Sequence, residues 1–447
     1  MKALLLALAV AAASATPALS QAPGDSLPDL SHPWTLQECI DWAMENNLTV
    51  ASQELNVAQR ESDKKTAQWS WAPSVNASVG ENFSFGRGIG GDNTYQSGNS
   101  ASTSFSLSGG MTLFDGLSTP RRIQLAALNL EAATADLEKA RDDVRVSVAK
   151  AYVQVLYNYE LEEVARQQLS IDSLQVARLE GLYQNGKASA AQVSEQKASS
   201  AQSYLTWVQA SNNVRSSLLD LSQLLELPVW EGFSVERPVL QLEDAYLGNP
   251  DEIYADALGI RPSIEAERLR LKGMEKNLQI AKAGYYPTLS LSGGLGTNYY
   301  SNFGTTGFWN QLSNNFSQYV GLSLNIPIFD RLTTRSQVRQ ARLNLQSQQI
   351  QLQSVQKALY KEIVQAWNGA VAAQAKYEAS KLAVSAAQDA LLLATGKYEN
   401  GKSTLTEFNE ARSRLVKAQS DSLQATYEYL FQQALLRFYR GERGLTL

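Results

Sequence analysis

One cysteine and one histidine among 447 residues remove several kinds of chemistry at once. Cys39 has no partner for an internal disulfide, and His32 alone supplies neither a metal ligand set nor a histidine-based triad. Leu36-Gln37-Glu38 ahead of Cys39 lacks the small residues of a lipoprotein cleavage site, which argues against a lipid anchor there. Net charge is only -5 and the basic residues are dispersed, so nucleic acid is not an expected partner. Past the N-terminal segment no apolar run approaches the roughly 20 residues that a membrane helix needs, so any membrane role falls to β-strands, an interfacial segment or a lipid. No nucleophile and base pair, metal cluster or phosphate loop is evident. The stretch Gly86-Arg87-Gly88-Ile89-Gly90-Gly91 lies between two expected strands rather than ahead of a helix, and reads as a surface loop. An enzyme is not expected, nor a cofactor.

The chain does carry a processing signal. Met1-Lys2 leads into the short apolar run Ala3 to Ala13, and Ala18-Leu19-Ser20 is a small-residue cleavage pattern before Gln21. Residues 1–20 therefore read as a secretory signal peptide, which directs the mature chain out of the cytoplasm.

Its organising feature is a sequence that occurs twice. Tyr183-Gln184-Asn185-Gly186-Lys187 and Tyr398-Glu399-Asn400-Gly401-Lys402 are 215 positions apart, and Leu113-Phe114-Asp115 precedes the first as Ile328-Phe329-Asp330 precedes the second at the same offset. Trp71-Ala72-Pro73 and Tyr285-Tyr286-Pro287 extend the match upstream. The chain is a tandem duplication, with a first repeat at 21–226, a connector at 227–262, a second repeat at 263–440 and a tail at 441–447. Such a period is far longer than a solenoid unit. Four prolines interrupt the connector, but Trp230, Phe233 and Tyr246 suggest an ordered layer packed on the helices.

Each repeat switches hydrophobic period in the same order. A helix is expected from about Leu36 to Gln68, ended by Pro73. Alternation then predicts strands: Val75, Ala77, Val79, Phe83 and Phe85, and after a loop over Gly86 to Ser100, Phe105, Leu107, Met111 and Leu113. The second repeat has Leu289, Leu291 and Leu295, then Val320 to Ile328. These hairpins, at about 74–114 and 287–329, match the transmembrane β-barrel pattern, although the buried faces of a soluble sandwich would look alike. Trp69, Trp71 and Phe114, with Tyr285, Tyr286 and Phe329, lie at one end of the hairpins as an interfacial aromatic belt would, which favours lipid. Four strands cannot close alone, so several chains must share a barrel.

From Pro120 to the first tip at 185–189 no breaker occurs, predicting a helix of roughly 65 residues, about 100 Å long. Ile123, Leu130, Leu137, Val144 and Ala151 keep an interval of seven, as do Val338, Leu345, Leu352, Leu359 and Ala366 ahead of the second tip at 400–404. Heptads predict coiled-coil packing against return helices at about Ala190 to Glu226 and Leu405 to Arg440.

This arrangement resembles the outer-membrane efflux protein family, the TolC-like exit ducts. The residues that carry the likeness are Asn46-Asn47-Leu48, Arg261-Pro262-Ser263-Ile264, Tyr286-Pro287-Thr288-Leu289, Ile326-Pro327-Ile328-Phe329-Asp330 and the paired Asn-Gly-Lys tips. The resemblance implies an α+β membrane protein of the bacterial outer membrane. It implies a homotrimer in which each chain gives four strands to a twelve-stranded β-barrel and its coiled-coil helices to a periplasmic α-barrel. Substrates would pass outward passively, and a periplasmic adaptor and an inner-membrane transporter would be partners. Asn185, Gly186, Lys187, Asn400, Gly401 and Lys402 would meet the adaptor, and Glu407 and Glu410, three apart on one helical face, would form acidic rings at the entrance. Tyr398 occupies a tether position of the closed tip. Ser403 stands where better-known members carry arginine, and Lys402 beside it lacks a guanidinium's forked geometry. The competing class is a secreted structural coiled coil or adhesin, which needs no lipid-compatible strands and would extract without detergent.

Overall fold

The computed structural model describes residues 29–89, 94–238, 248–301 and 307–441. The predicted signal peptide, Gly90-Gly91, Tyr246 and residues 442–447 lie outside them.

The chain begins with α1 (Leu36–Asn46) and α2 (Leu48–Trp69), where the hydrophobic period predicted one helix. Asn47 makes the break by turning to an extended ψ of 127°. Its side chain amide donates to the Leu224 carbonyl at 2.9 Å while its Oδ1 receives the Thr49 N–H. Trp42 Nε1 donates likewise to the Leu225 carbonyl at 3.0 Å. Two side chains thus satisfy carbonyls that a helix C-terminus leaves without intrahelical donors.

A hairpin follows, β1 (Ser74–Ile89) and β2 (Tyr95–Phe114), then α3 (Ser118–Gln184) and α4 (Ala190–Leu224). After α5 (Pro250–Ile260), the second repeat runs α6 (Pro262–Ala283), β3 (Thr288–Ser301), α7 (Phe308–Asn314), β4 (Ser317–Asn325), α8 (Thr333–Glu399) and α9 (Leu405–Tyr439). α3 and α8 are each 67 residues, and α4 and α9 are each 35, so the duplication in sequence is a duplication in structure. Three details depart from expectation. The strands continue into the expected Gly86 to Ser100 loop, pairing Ile89 with Tyr95. A short helix, α7, precedes the last strand, with Gln311 bonded to both backbone groups of Tyr300. β4 stops at Asn325, two residues before Pro327, rather than reaching Ile328.

Contacts group the chain into two units: one comprises residues up to Ala51, Ala140–Ile253 and Ile363 onward, the other Ser52–Lys139 and Tyr254–Glu362. The second unit holds a four-stranded antiparallel sheet in the order β1-β2-β3-β4. Register puts Val79 beside Phe105, Leu107 beside Leu295 and Leu291 beside Leu322, gathering the apolar residues on one face. Nothing among the described residues covers it: Val79, Leu322 and Val320 are 70%, 66% and 84% exposed. A soluble sandwich buries that face, whereas a bare apolar sheet face fits lipid. No helix among the described residues is long and apolar enough to cross a membrane.

In the first unit the helices pair antiparallel. Asp172 meets Gln196 and Ser203, and Asn158 meets Asn213, along α3 and α4. Lys376 meets Glu428, and Tyr377 stacks on Tyr429, along α8 and α9. The connector contributes buried Phe233 and Val235, the latter bridged to Trp34, while Tyr152 Oη donates to the Glu236 carbonyl at 2.8 Å.

Candidate functional site

The two helix tips are built alike from local chemistry. At the end of α3 the Asn185 side chain donates to the Gly181 carbonyl, Gly186 takes φ 71°, and the Lys187 N–H reaches the Leu182 carbonyl at 2.8 Å. Asn400, Gly401 (φ 71°) and Lys402 repeat each feature at the end of α8. This is a Schellman closure, which uses glycine because the left-handed region carries no Cβ penalty there. The return helices start with capping boxes, Ser189 with Gln192 and Thr404 with Glu407. Asn185, Gly186, Lys187, Asn400, Gly401 and Lys402 are all exposed, and a Cβ on either glycine would meet no heavy atom within 4 Å. The six residues form an open surface.

Beneath it, Leu179 and Val193 from the first repeat pack with Leu405 and Phe408 from the second. Tyr398 belongs to this small core: its ring stacks on Phe408 at 5.3 Å and 18°, and desolvation raises its phenol above the ordinary value. Arg178 pairs with Glu399 at 3.3 Å, and Thr406 Oγ1 donates to Glu195. Lys402 forms no ion pair among the described residues.

The two candidate entrance carboxylates are both exposed but differ in bonding. Glu407 accepts from the Ser403 hydroxyl and the Thr404 N–H, which hold its carboxyl below the ordinary range. Ser403, standing where an arginine was expected, thus serves the cap of α9. Among the described residues Glu410 reaches only Arg414, at 3.7 Å. The residues of the candidate aromatic belt are solvent-facing too: Trp69, Tyr285 and Phe329 are 75%, 55% and 79% exposed.

One buried polar cluster has no counterpart in the sequence reading. Asp172 is fully buried and its carboxylate receives Gln168, Gln196 (2.9 Å), Ser203 (2.5 Å) and the guanidinium of Arg412 from α9. Arg412 also donates to Ser199 at 3.2 Å and lies 5.7 Å from the Phe408 ring. The seven-residue interval of α3, continued past Ala151, passes through buried Asn158, Ala165, Asp172 and Leu179. An acid at a core position of a heptad was the available signal. Among the described residues no group of three or more His, Cys, Asp or Glu is placed to hold a metal.

Residues 39–226 and 253–442 match the outer membrane efflux protein family. The chain belongs to that family. The first matched segment ends where the connector begins and the second starts within it, so the family's repeated module is present twice. The outer membrane protein TolC of Salmonella enteritidis is 25% identical over 366 residues, covering 79% of this chain and 73% of its own. Protein CyaE of Bordetella pertussis is 26% identical over 434 residues, covering 93% and 83%. Among solved structures, the CmeC outer membrane channel of Campylobacter jejuni superposes with a TM-score of 0.79 at 18% identity, over 91% of this chain and 85% of that one. VceC of Vibrio cholerae gives 0.75 at 21% identity, over 91% and 96%. The fold of this efflux-family protein is therefore that of the outer-membrane channels, with four transmembrane strands joined to long coiled-coil helices, and its location is the outer membrane.

Proposed function

We propose that this efflux-family chain forms, as a homotrimer, the passive exit duct of a tripartite export system. The observation that carries the reading is the sheet: four strands with one bare apolar face and two unpaired edges, β1 and β4, attached to 67-residue helices. Each unpaired edge group costs several kcal/mol in hydrocarbon, so the edges must pair with those of other copies. Two copies would give eight strands, whose interior side chains fill; three give twelve and leave a lumen. Exposed Leu174, Leu205, Leu382 and Leu392 on the helices, 60–73% accessible in the single chain, supply apolar surface for neighbouring copies.

In this reading the open tip residues Asn185, Gly186, Lys187, Asn400, Gly401 and Lys402 receive a periplasmic adaptor, which couples the duct to an inner-membrane transporter. Glu407 and Glu410, repeated by symmetry, make an acidic entrance that favours cations. Glu407 keeps its charge among neutral donors, while Glu410 has Arg414 at 3.7 Å. Tyr398 acts first as tip core, and Lys402 is the exposed cation available to a neighbouring chain. The family is one of channels rather than enzymes, and the duct moves cargo without chemistry on it.

The test is single-channel conductance of detergent-extracted protein in planar bilayers, with Glu407→Ala and Glu410→Ala. Cation-selective steps, less selective in both variants than in the wild type, are expected. Steps indifferent to both substitutions would keep the duct and remove the acidic entrance, and folded protein that never inserts would refute the duct.

A further inference from the structure

The internal duplication provides a control within the molecule for any residue that only one repeat carries. Arg331, Arg335, Arg339 and Arg342 stand where the first repeat, 215 residues earlier, has Gly116, Pro120, Gln124 and Ala127. Since β2 and β4 enter α3 and α8 through the same turn, with Asp115 and Asp330 each receiving the N–H of a threonine four residues on, the fold at this place does not require arginine. At the first of these positions arginine is even disfavoured. Arg331 has φ 54°, a left-handed conformation that suits glycine, and Leu332 follows at φ 67°. Gly116 is needed for close approach, because a Cβ there would lie 2.8 Å from the Ala283 carbonyl oxygen; Arg331 instead sits exposed.

All four arginines are exposed, and none forms an ion pair among the described residues. Between Asp330 and Glu362 the chain contains no Asp or Glu, and the Asp330 carboxylate is already engaged by the Thr334 N–H at 2.7 Å. Arg335, Arg339 and Arg342 follow one another at spacings of four and three, which places them along one side of α8 within about 14 Å of its start. That start adjoins the end of the transmembrane sheet, where Ile328 and Phe329 are 95% and 79% exposed. Apolar side chains beside unpaired guanidinium groups, at the level where the strands leave the hydrocarbon, match a layer of lipid phosphates: the apolar groups enter the acyl boundary and the forked donors meet phosphate oxygens.

We propose that Arg331, Arg335, Arg339 and Arg342 form a binding surface for anionic phospholipid headgroups at the periplasmic face of the outer membrane. It rests on the reading of the sheet as membrane-spanning. The surface anchors the second repeat to the inner leaflet and sets the depth of the barrel there.

The experiment compares phosphatidylglycerol with phosphatidylethanolamine binding to the purified full-length protein in detergent micelles. The variants are Arg335→Gln/Arg339→Gln/Arg342→Gln, and Arg331→Gly, which restores the residue of the first repeat. Preferential phosphatidylglycerol binding is expected, weakened on the order of fivefold for each arginine removed and by added salt. Equal binding of the two lipids, or no change in the triple variant, would overturn the proposal. Displacement of the lipid by inorganic phosphate at matched concentration would overturn it in favour of a free-anion site. Loss of oligomeric size in the triple variant would overturn it in favour of a contact between copies. Planar-bilayer conductance of the same wild-type preparation separates the two readings, since its absence refutes the duct while the micelle assay still reports on the lipid surface.

Discussion

The Asp172–Arg412 pair offers the sharpest test of how the two repeats are held together. Replacing Arg412 by Met keeps much of the side chain's bulk but leaves a fully buried carboxylate without its counter-charge. Breaking a buried pair from one side costs about 3–5 kcal/mol. Here Gln168, Gln196 and Ser203 still donate to Asp172, which places the loss toward the lower bound, about 3 kcal/mol. Removing both charges should cost far less. Arg412 Nη1 and Gln196 Oε1 have no hydrogen-bond partner among the described residues, so the polar cluster is incompletely satisfied and an apolar replacement gives up little. The assay is hydrogen exchange by mass spectrometry on the detergent-solubilised protein, following amides around Asp172 and Arg412. If these open locally, a loss of about 3 kcal/mol raises their exchange roughly 150-fold in Arg412→Met. The double variant Asp172→Leu/Arg412→Met should return most of that protection. An Arg412→Met protein whose exchange is within about threefold of wild type, a difference below about 1 kcal/mol, would refute the reasoning. So would a double variant as unprotected as the sum of its parts, because the charges would then be uncoupled.

Further outcomes follow from other parts of the chain. Gly401→Ala meets no steric obstacle but forces φ 71° on a residue with a Cβ, so local opening at the tip should rise by about fivefold, and Gly186→Ala should match it. Unequal effects in the two repeats would show that something other than backbone strain acts at one tip. Cys39 is fully buried and burial pushes its thiol up to about 12, so a maleimide should label it only after unfolding; labelling of the native protein would contradict the packing of α1. The folded value of Glu407 lies below its ordinary 4.5, so its contribution to the α9 cap is fully present above that pH and is lost as pH falls through the folded value. The gap in amide protection between wild type and Glu407→Gln at residues 405–408 should therefore close on acidification, and a gap that widens would reverse the assignment.

Much of this architecture is written in short-range chemistry, and that is why sequence alone determined it. The duplication, the two 67-residue helices, the hairpins and the Asn-Gly tips follow from a hydrophobic period, a breaker or a left-handed glycine acting within a few residues. The family resemblance added the duct and nominated Glu407 and Glu410, but the nominated residues say nothing of their own bonding. Tertiary structure decided that. Glu407 caps α9 while Glu410 does not, and Tyr398 lies against Phe408 rather than standing free. The break at Asn47 depends on carbonyls 177 and 178 residues away, at Leu224 and Leu225, because a helix end needs donors that only another segment brings to it. Asp172 shows the limit most clearly. In sequence an acid between Ala165 and Leu179 could belong to a solvated face; only when Arg412 arrives from the other repeat does it become a buried charge with a partner, and desolvation makes that partner indispensable.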